Sequence, residues 1–597
     1  MTETDPSSVV INERVFKWWD YLLFGFLSVA TALAIYWVLS HWFSVTNWKV
    51  NPITCSLMTG ILLVVLINNQ GRWFLLPLMR KPSPMAPKVG WKVAVVTTVV
   101  PSAETIEMLC ETVKAIIDLD YPHDTWVLDE EDDEQVKALC RELGAKHFSR
   151  KNLPQYQASA GPFRSGSKHG NYNAWLHEVG FEGYDILTTF DPDHVPQKSF
   201  LVAVLGYFEV ARVAYVQAAQ AYYNQNASFI ARGAAEETYA YYSSVQMAGY
   251  GMEYPIIVGC HNSQRVTALK QVGGFPAHDA EDLMLTILYR SNDWQGVYVP
   301  EILARGLAPV DWNGYLRQQR RWARSVIDIK LRQHHPVAST LSLKSRVMSF
   351  LHGINYLHRA LIVLMSFLLI GFMLVTGRVP AVVSYQTVQK LGLLWAVLQI
   401  CEFYRQRFYL DPRRELGFHW RVALVQYAKW PWFLLAFFDV LFNKQKPYEL
   451  TEKMKANSTK HLLVWPNLAA IILLAGTLFA DWMFEIGVHP LVRFFAAILI
   501  VTSGALIWTD FWRFPSPYDK AIVGNVPLID HKTSADGEPE LSLRDKQIIR
   551  EEVQQPLGRD AVFLSSTRVV PLQDNGPGAA DPEGQQISIG NKERGQR

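Results

Sequence analysis

Leu-Arg-Gln-Gln-Arg-Arg-Trp at 316–322 places three arginines, two glutamines and a tryptophan a few dozen residues before a long apolar run. A guanidinium is a planar, permanently charged fork that contacts two phosphate oxygens at once. Beside a membrane, arginine and tryptophan serve equally as interfacial anchors. Asp191-Pro-Asp193-His194 sets two carboxylates one residue apart. Such a pair on a turn holds a hard divalent cation, Mg2+ or Mn2+, that bridges nucleotide phosphates, although Asp-Pro-Asp is also ordinary turn chemistry. Glu281-Asp282 offers a general base or a charge that complements a helix N-terminus.

These residues need elements to position them. WKVAVVTTV (91–99), TWVL (125–128) and YDILTTF (184–190) read as buried parallel strands, and 104–117 and 132–143 have helical spacing. Alternation of this kind predicts an α/β domain, which binds ligands beyond the carboxyl ends of its strands. TWVL runs into Asp129-Glu130-Glu131 and YDILTTF into Asp191.

Outside that region the chain is apolar. Of 597 residues, 49% are hydrophobic and 13% aromatic, too much for a soluble enzyme throughout. A net charge of +2 argues against a nucleic-acid partner. Cys55, Cys110, Cys140, Cys260 and Cys401 form no CxxC pair and read as buried reduced thiols. Residues 21–48 and 50–71 contain no Asp, Glu, Lys or Arg, and each is long enough to cross roughly 30 Å of hydrocarbon. Four later runs, 360–377, 391–401, 461–480 and 494–509, give six spans in all. The 391–401 run is the least tidy, bracketed by Lys390 and Glu402. A span at 421–442 would put the Lys-rich loop after it outside, against the positive-inside rule. Residues 404–442, with four arginines before 415, therefore read as cytoplasmic interfacial helices.

In order along the chain, the short motifs resemble those of the processive family 2 glycosyltransferases, the cellulose, chitin, hyaluronan and curdlan synthase group. Asp129 stands where the family has its nucleotide-binding aspartate. SGSKHGNYNA (165–174) resembles the family's lysine-glycine-asparagine segment through Lys168, Gly170 and Asn171. Asp191 and Asp193 match the Asp-x-Asp pair, and VQAAQAYYN (216–224) resembles the VQTPQ strand. GCHN (259–262) resembles the acceptor-side segment, Ala280-Glu281-Asp282 the Thr-Glu-Asp, and Gln318, Arg321 and Trp322 the Gln-x-x-Arg-Trp signature. KPYELTEK (446–453) resembles the gating-loop motif of cellulose synthases, Phe-x-Val-Thr-x-Lys, through Thr451 and Lys453, with Tyr448 and Leu450 in the matching places as departures that keep a bulky apolar group. Departures are Glu130-Glu131 for the usual Asp-Gly, Ala280 for Thr, and Ala218-Ala219 for Thr-Pro.

The resemblance implies an α/β nucleotide-sugar-binding GT-A domain inserted between transmembrane α-helices. Its expected parts are a cytoplasmic N-terminal segment (1–18), two transmembrane helices (19–80), the cytoplasmic GT-A domain (85–345), two transmembrane helices (346–403), interfacial helices with a gating-type loop (404–460), two transmembrane helices (461–512) and a mostly disordered tail (513–597). It implies a multi-pass plasma (inner) membrane enzyme that polymerises a nucleotide sugar, UDP-glucose, into a β-glucan and translocates it. Asp282 is the expected base. Asp129, Lys168, Asp191, Asp193, Gln318 and Arg321 are expected to bind the nucleotide sugar, with Mg2+ or Mn2+ on Asp191 and Asp193. Trp322, Glu281, Cys260 and His261 are expected on the acceptor side, and Tyr448, Thr451 and Lys453 in the gating loop. The alternatives are a non-processive transferase onto a lipid and a catalytically silent export or scaffold subunit.

Overall fold

The computed structural model describes residues 10–44, 48–49, 51–333, 339–353, 355–444 and 461–511. Two apolar helices, α1 (Trp18–Trp42) and α2 (Pro52–Phe74), precede a domain built on one eight-stranded mixed sheet. Its strands are β1 (Val93–Val99), β2 (Asp124–Asp129), β3 (Lys146–Phe148), β4 (Ile186–Phe190), β5 (Val195–Pro196), β6 (Val213–Tyr222), β7 (Asn262–Arg265) and β8 (Gln295–Gly306). They lie side by side in the order β3-β2-β1-β4-β7-β6-β8-β5. β1 runs parallel to β2 and β4, while β7 lies antiparallel between β4 and β6. VAVVTTV and ILTTF are almost entirely buried, which is why they are continuous β-branched runs without polar alternation.

Crossover helices start where a side chain satisfies the first free amides. Thr105 caps α3 (Ile106–Ile117), Asp133 caps α4 (Glu134–Leu143), and Ser167 caps α5 (Lys168–Trp175) by accepting from the Gly170 amide. Ser228 and Asp311 do the same for α6 (Phe229–Ala240) and α8 (Trp312–Asp328), between which lies α7 (Glu281–Ser291). β1 and β4 begin two residues later than the sequence indicates, and β2 one residue earlier. The Tyr184 hydroxyl donates to Asp124 and accepts from the Trp126 indole, so β4 starts at Ile186.

After the domain come α9 (Asn355–Thr376), α10 (Tyr385–Arg405), α11 (Trp420–Ala428), α12 (Trp430–Leu441), α13 (Val464–Met483) and α14 (Pro490–Phe511). Among the described residues, five helices are long and apolar enough to cross a membrane: α1, α2, α9, α13 and α14. The sequence read a sixth span at 391–401. That segment lies in α10, which is 21 residues long but more polar. It packs against α1, and its Lys390 ammonium sits 4.0 Å from the centre of the Trp37 ring. Residues 404–442 form the short helices α11 and α12 together with single turns. α12 is tied to α8 by an Arg320–Asp439 ion pair of 2.5 Å.

Candidate active site

The carboxyl ends of β1, β2 and β4 open onto one cavity. At the end of β2, the Asp129 carboxylate is fully buried and does not line that opening. It accepts from the amides of Glu131 (2.9 Å) and Asp133 (2.6 Å) and pairs with His147 Nε2 at 3.2 Å. Glu130 and Glu131 line the cavity instead, while Asp129 holds the β2–α4 turn that presents them. Glu130 is not a loose extra charge. The fully buried Arg150 grips it with two bonds, 3.0 and 2.7 Å, and donates to the carbonyls of Tyr156, Phe163, Arg164 and Ser167.

That knot explains the Lys-His-Gly-Asn segment. A Cβ at position 170 would collide with the Arg164 carbonyl and the Arg150 guanidinium, so the N-terminal turn of α5 must carry glycine there. Asn171 donates to the Leu128 carbonyl (3.2 Å), and Asn173 clamps both the amide and the carbonyl of Phe275 at 2.8 Å. Lys168 therefore starts from a rigid backbone. Its Nζ donates to Asp191 (2.5 Å) and the Gly259 carbonyl (2.8 Å), and Glu281 lies 3.9 Å away. Burial alone would depress this ammonium, but the surrounding carboxylates outweigh it and hold Lys168 well above its ordinary pKa.

The Gly259 peptide bridges to the next acid, since its amide donates to Asp282 Oδ2 at 2.7 Å while the Leu283 amide donates to Oδ1 at 2.8 Å. Burial pushes both members of the Glu281–Asp282 pair up, Glu281 to about 7 with the Asp282 charge adding to the rise against the pull of Lys168. Asp191, Asp193 and His194 bring one ligand atom each to within 4.8 Å of one another. Two hard carboxylate oxygens are what Mg2+ and Mn2+ take, so Asp191 and Asp193 fit such an ion. The His194 ring leaves no room for a Cβ at position 306, which is glycine.

From α8, Gln318, Arg321 and Trp322 face the same cavity, a space of roughly 1700 Å³ that also reaches Asn68, Gly71 and Arg72 of α2, Arg359 of α9, Trp395 and Gln399 of α10 and Trp420 of α11. The structure thus brings together Lys168, Asp191, Asp193, Cys260, Glu281, Asp282, Gln318, Arg321 and Trp322; Asp129 and His261 stand behind the wall. Tyr448, Leu450, Thr451 and Lys453 lie outside the described residues. Sequence reasoning missed Glu104, which lines the cavity and accepts from the Val100 amide at 2.8 Å. It missed Arg150 as well. It also missed a buried cluster one turn from Gln318, in which Glu237 meets Lys429, Tyr315 (2.6 Å) and Arg359 (3.9 Å). No short motif flags these groups: Glu104 and Arg150 bind within irregular turns and loops, and the partners of Glu237 are distant in the chain.

A family model described as "Glycosyltransferase like family 2" matches residues 94–325. Cellulose synthase 1 of Komagataeibacter xylinus is 27% identical over 263 residues, 42% of this chain and 16% of the relative. A cellulose synthase catalytic subunit (UDP-forming) of Komagataeibacter sucrofermentans is 21% identical over 500 residues, 78% of this chain and 62% of the relative. The chain therefore spans less than two thirds of either. Among solved structures, the mannosyltransferase PcManGT from Pyrobaculum calidifontis, in complex with GDP-Man and Mn2+, aligns with a TM-score of 0.45 at 15% identity, covering 66% of this chain and 99% of that one. The matched segment coincides with the mixed sheet and its strand-end acids, so residues 94–325 form a glycosyltransferase domain similar to family 2 and to the cellulose synthases, flanked by apolar helices long enough to cross a membrane.

Proposed function

We propose that this membrane protein is a processive, inverting β-glycosyltransferase that polymerises UDP-glucose into a β-glucan and passes the chain outward between its own helices. The observation that carries this is the single cavity that joins the strand-end acids to residues of α2, α9, α10 and α11. A single-sugar transferase needs no such length of wall, and a chain of sugar rings needs flat side chains, which Trp322, Trp395 and Trp420 supply. The named relatives are cellulose synthases, which favours a β-glucan over other products.

The chemistry follows from the residues in place. Arg321 and Lys168 receive the donor diphosphate by preorganised charge. A divalent ion held by Asp191 and Asp193 would add positive charge beside the leaving group. Asp282, anchored by two backbone amides, takes the proton of an acceptor hydroxyl. The hydroxyl oxygen bonds to the anomeric carbon from one face while the bond to the diphosphate breaks on the other, and the nucleoside diphosphate leaves with the electron pair. One displacement inverts the configuration. Tyr448, Thr451 and Lys453 act as a lid that excludes water. The domain faces the cytosol at the plasma (inner) membrane, where nucleotide sugars are available.

Purified protein supplied with each labelled nucleotide sugar in turn, followed by digestion with linkage-specific hydrolases, tests this. A UDP-glucose-derived polymer cut by a β-glucan hydrolase is expected. One sugar on a lipid would replace it with the non-processive alternative, and no nucleotide release with a silent export or scaffold subunit.

A further inference from the structure

Behind the Asp191–Asp193 turn, His194, Cys260 and His261 converge, one ligand atom from each lying within 4.8 Å of the other two. All three residues are buried, His261 completely. The His261 Nδ1–H donates to the Ala219 carbonyl at 3.3 Å, which fixes the tautomer and leaves Nε2 with a lone pair. That Nε2 is buried without a hydrogen-bond partner among the described residues, a costly condition unless something binds it. The His261 backbone is held at φ 54°, in the left-handed region, by its amide bond to the Thr189 carbonyl (3.1 Å) and by the Gln217 amide, which donates to the carbonyls of Cys260 and His261. The second imidazole matches the first. The Gln220 amide nitrogen lies 3.2 Å from His194 Nε2, so this nitrogen also carries a lone pair, 4.0 Å from Cys260 Sγ, while the opposite nitrogen faces Asp191 and Asp193 at 3.7 Å each.

We infer that His194, Cys260 and His261 form a second metal site that takes a borderline-soft divalent ion, Zn2+ by its two-nitrogen, one-sulfur donor set, separate from the hard-ion position on Asp191 and Asp193. Imidazole and thiolate select zinc where carboxylates select magnesium or manganese. Zinc bonds of about 2.0–2.3 Å imply ligand separations of roughly 3.3–3.6 Å, so side-chain movements of about an ångström close the site, with Gln220 releasing His194. The consequence lies in the same turn. The Gly259 amide holds Asp282 and its carbonyl holds Lys168. An ion on the adjacent Cys260 and His261 therefore fixes the peptide that positions both.

The test uses the full-length protein, purified in detergent, stripped with a chelator and titrated with Co2+ as an absorbing substitute for Zn2+. One equivalent of Co2+ should raise a thiolate-to-cobalt charge-transfer band that Zn2+ abolishes and excess Mg2+ does not. Cys260→Ser should remove the band, His261→Gln should weaken cobalt affinity at least tenfold, and Asp191→Asn and Cys140→Ser should leave the band intact. Circular dichroism identifies variants that fold. If Cys260→Ser does not, unchanged cobalt affinity in His261→Gln is decisive against the site. Absence of a band in the unsubstituted protein, or a band that survives Cys260→Ser, overturns the proposal. The readout needs no sugar donor, so it stands apart from the outcome of the polymerisation assay.

Discussion

Asp282 is the residue on which the transfer chemistry turns. Replacement by Asn keeps the size and removes proton acceptance, so turnover should fall about 10²–10⁴-fold with nucleotide binding kept, measured by initial rate and by direct titration. The pH profile carries the same information with a sign. The reactive pair is the deprotonated one; burial raises both acids, and the Asp282 charge adds to the rise of Glu281, to about 7. Rate should therefore begin to fall at a pH above the ordinary carboxylate range as pH drops, and Glu281→Gln, which removes one negative charge from the pair, should move that limb to lower pH. An unmoved limb would separate Glu281 from the base. Much at this scale was legible in the sequence, because Lys168, Asp191, Asp193, Asp282 and Arg321 sit in short motifs whose order is itself informative. Asp129 is legible as a strand-end acid, but its partners in the turn are not. Only the turn geometry shows its carboxylate accepting from Glu131 and Asp133.

At the level of elements, the knot that joins β2 to α5 should be costly to break. Arg150→Met leaves Glu130 and four carbonyls without their donor, and loss of one partner from a buried ion pair costs about 3–5 kcal/mol. Gly170→Ala forces a methyl group against Arg150 and the Arg164 carbonyl, for about 1–3 kcal/mol. Thermal unfolding in detergent should rank Arg150→Met below Gly170→Ala and both below the unsubstituted protein; a Gly170→Ala variant as stable as the parent would show that α5 can shift. Arg150 was invisible to sequence reasoning because its contacts reach forward and back across a loop with no periodicity. The α/β alternation was legible where strands are continuous β-branched runs, as in β1 and β4. β6 and β8 carry polar and small residues and were harder to see. The status of α10 turned on its composition: the sequence reads 391–401 as a span bracketed by Lys390 and Glu402, whereas the helix as a whole is more polar than the five apolar ones and places Lys390 over Trp37.

Across the whole molecule, the proposal requires that the cavity serve as one passage. Gly71 of α2 lines it, and a Cβ there would meet nothing within 4 Å, so Gly71→Trp should fold while narrowing the passage. Elongation should drop sharply with hydrolysis of the donor by water retained, in contrast to Asp282→Asn, which should lose both. The most direct measurement is a pulse and chase: purified protein in lipid vesicles receives a brief pulse of labelled UDP-glucose, then a large excess of unlabelled donor, and product length is followed on a sizing column. Processive synthesis through the cavity should carry the label into ever longer chains that stay bound to the protein and are cut by a β-glucan hydrolase. Label that remains in a product of fixed short length, or is released from the protein after one transfer, would contradict it.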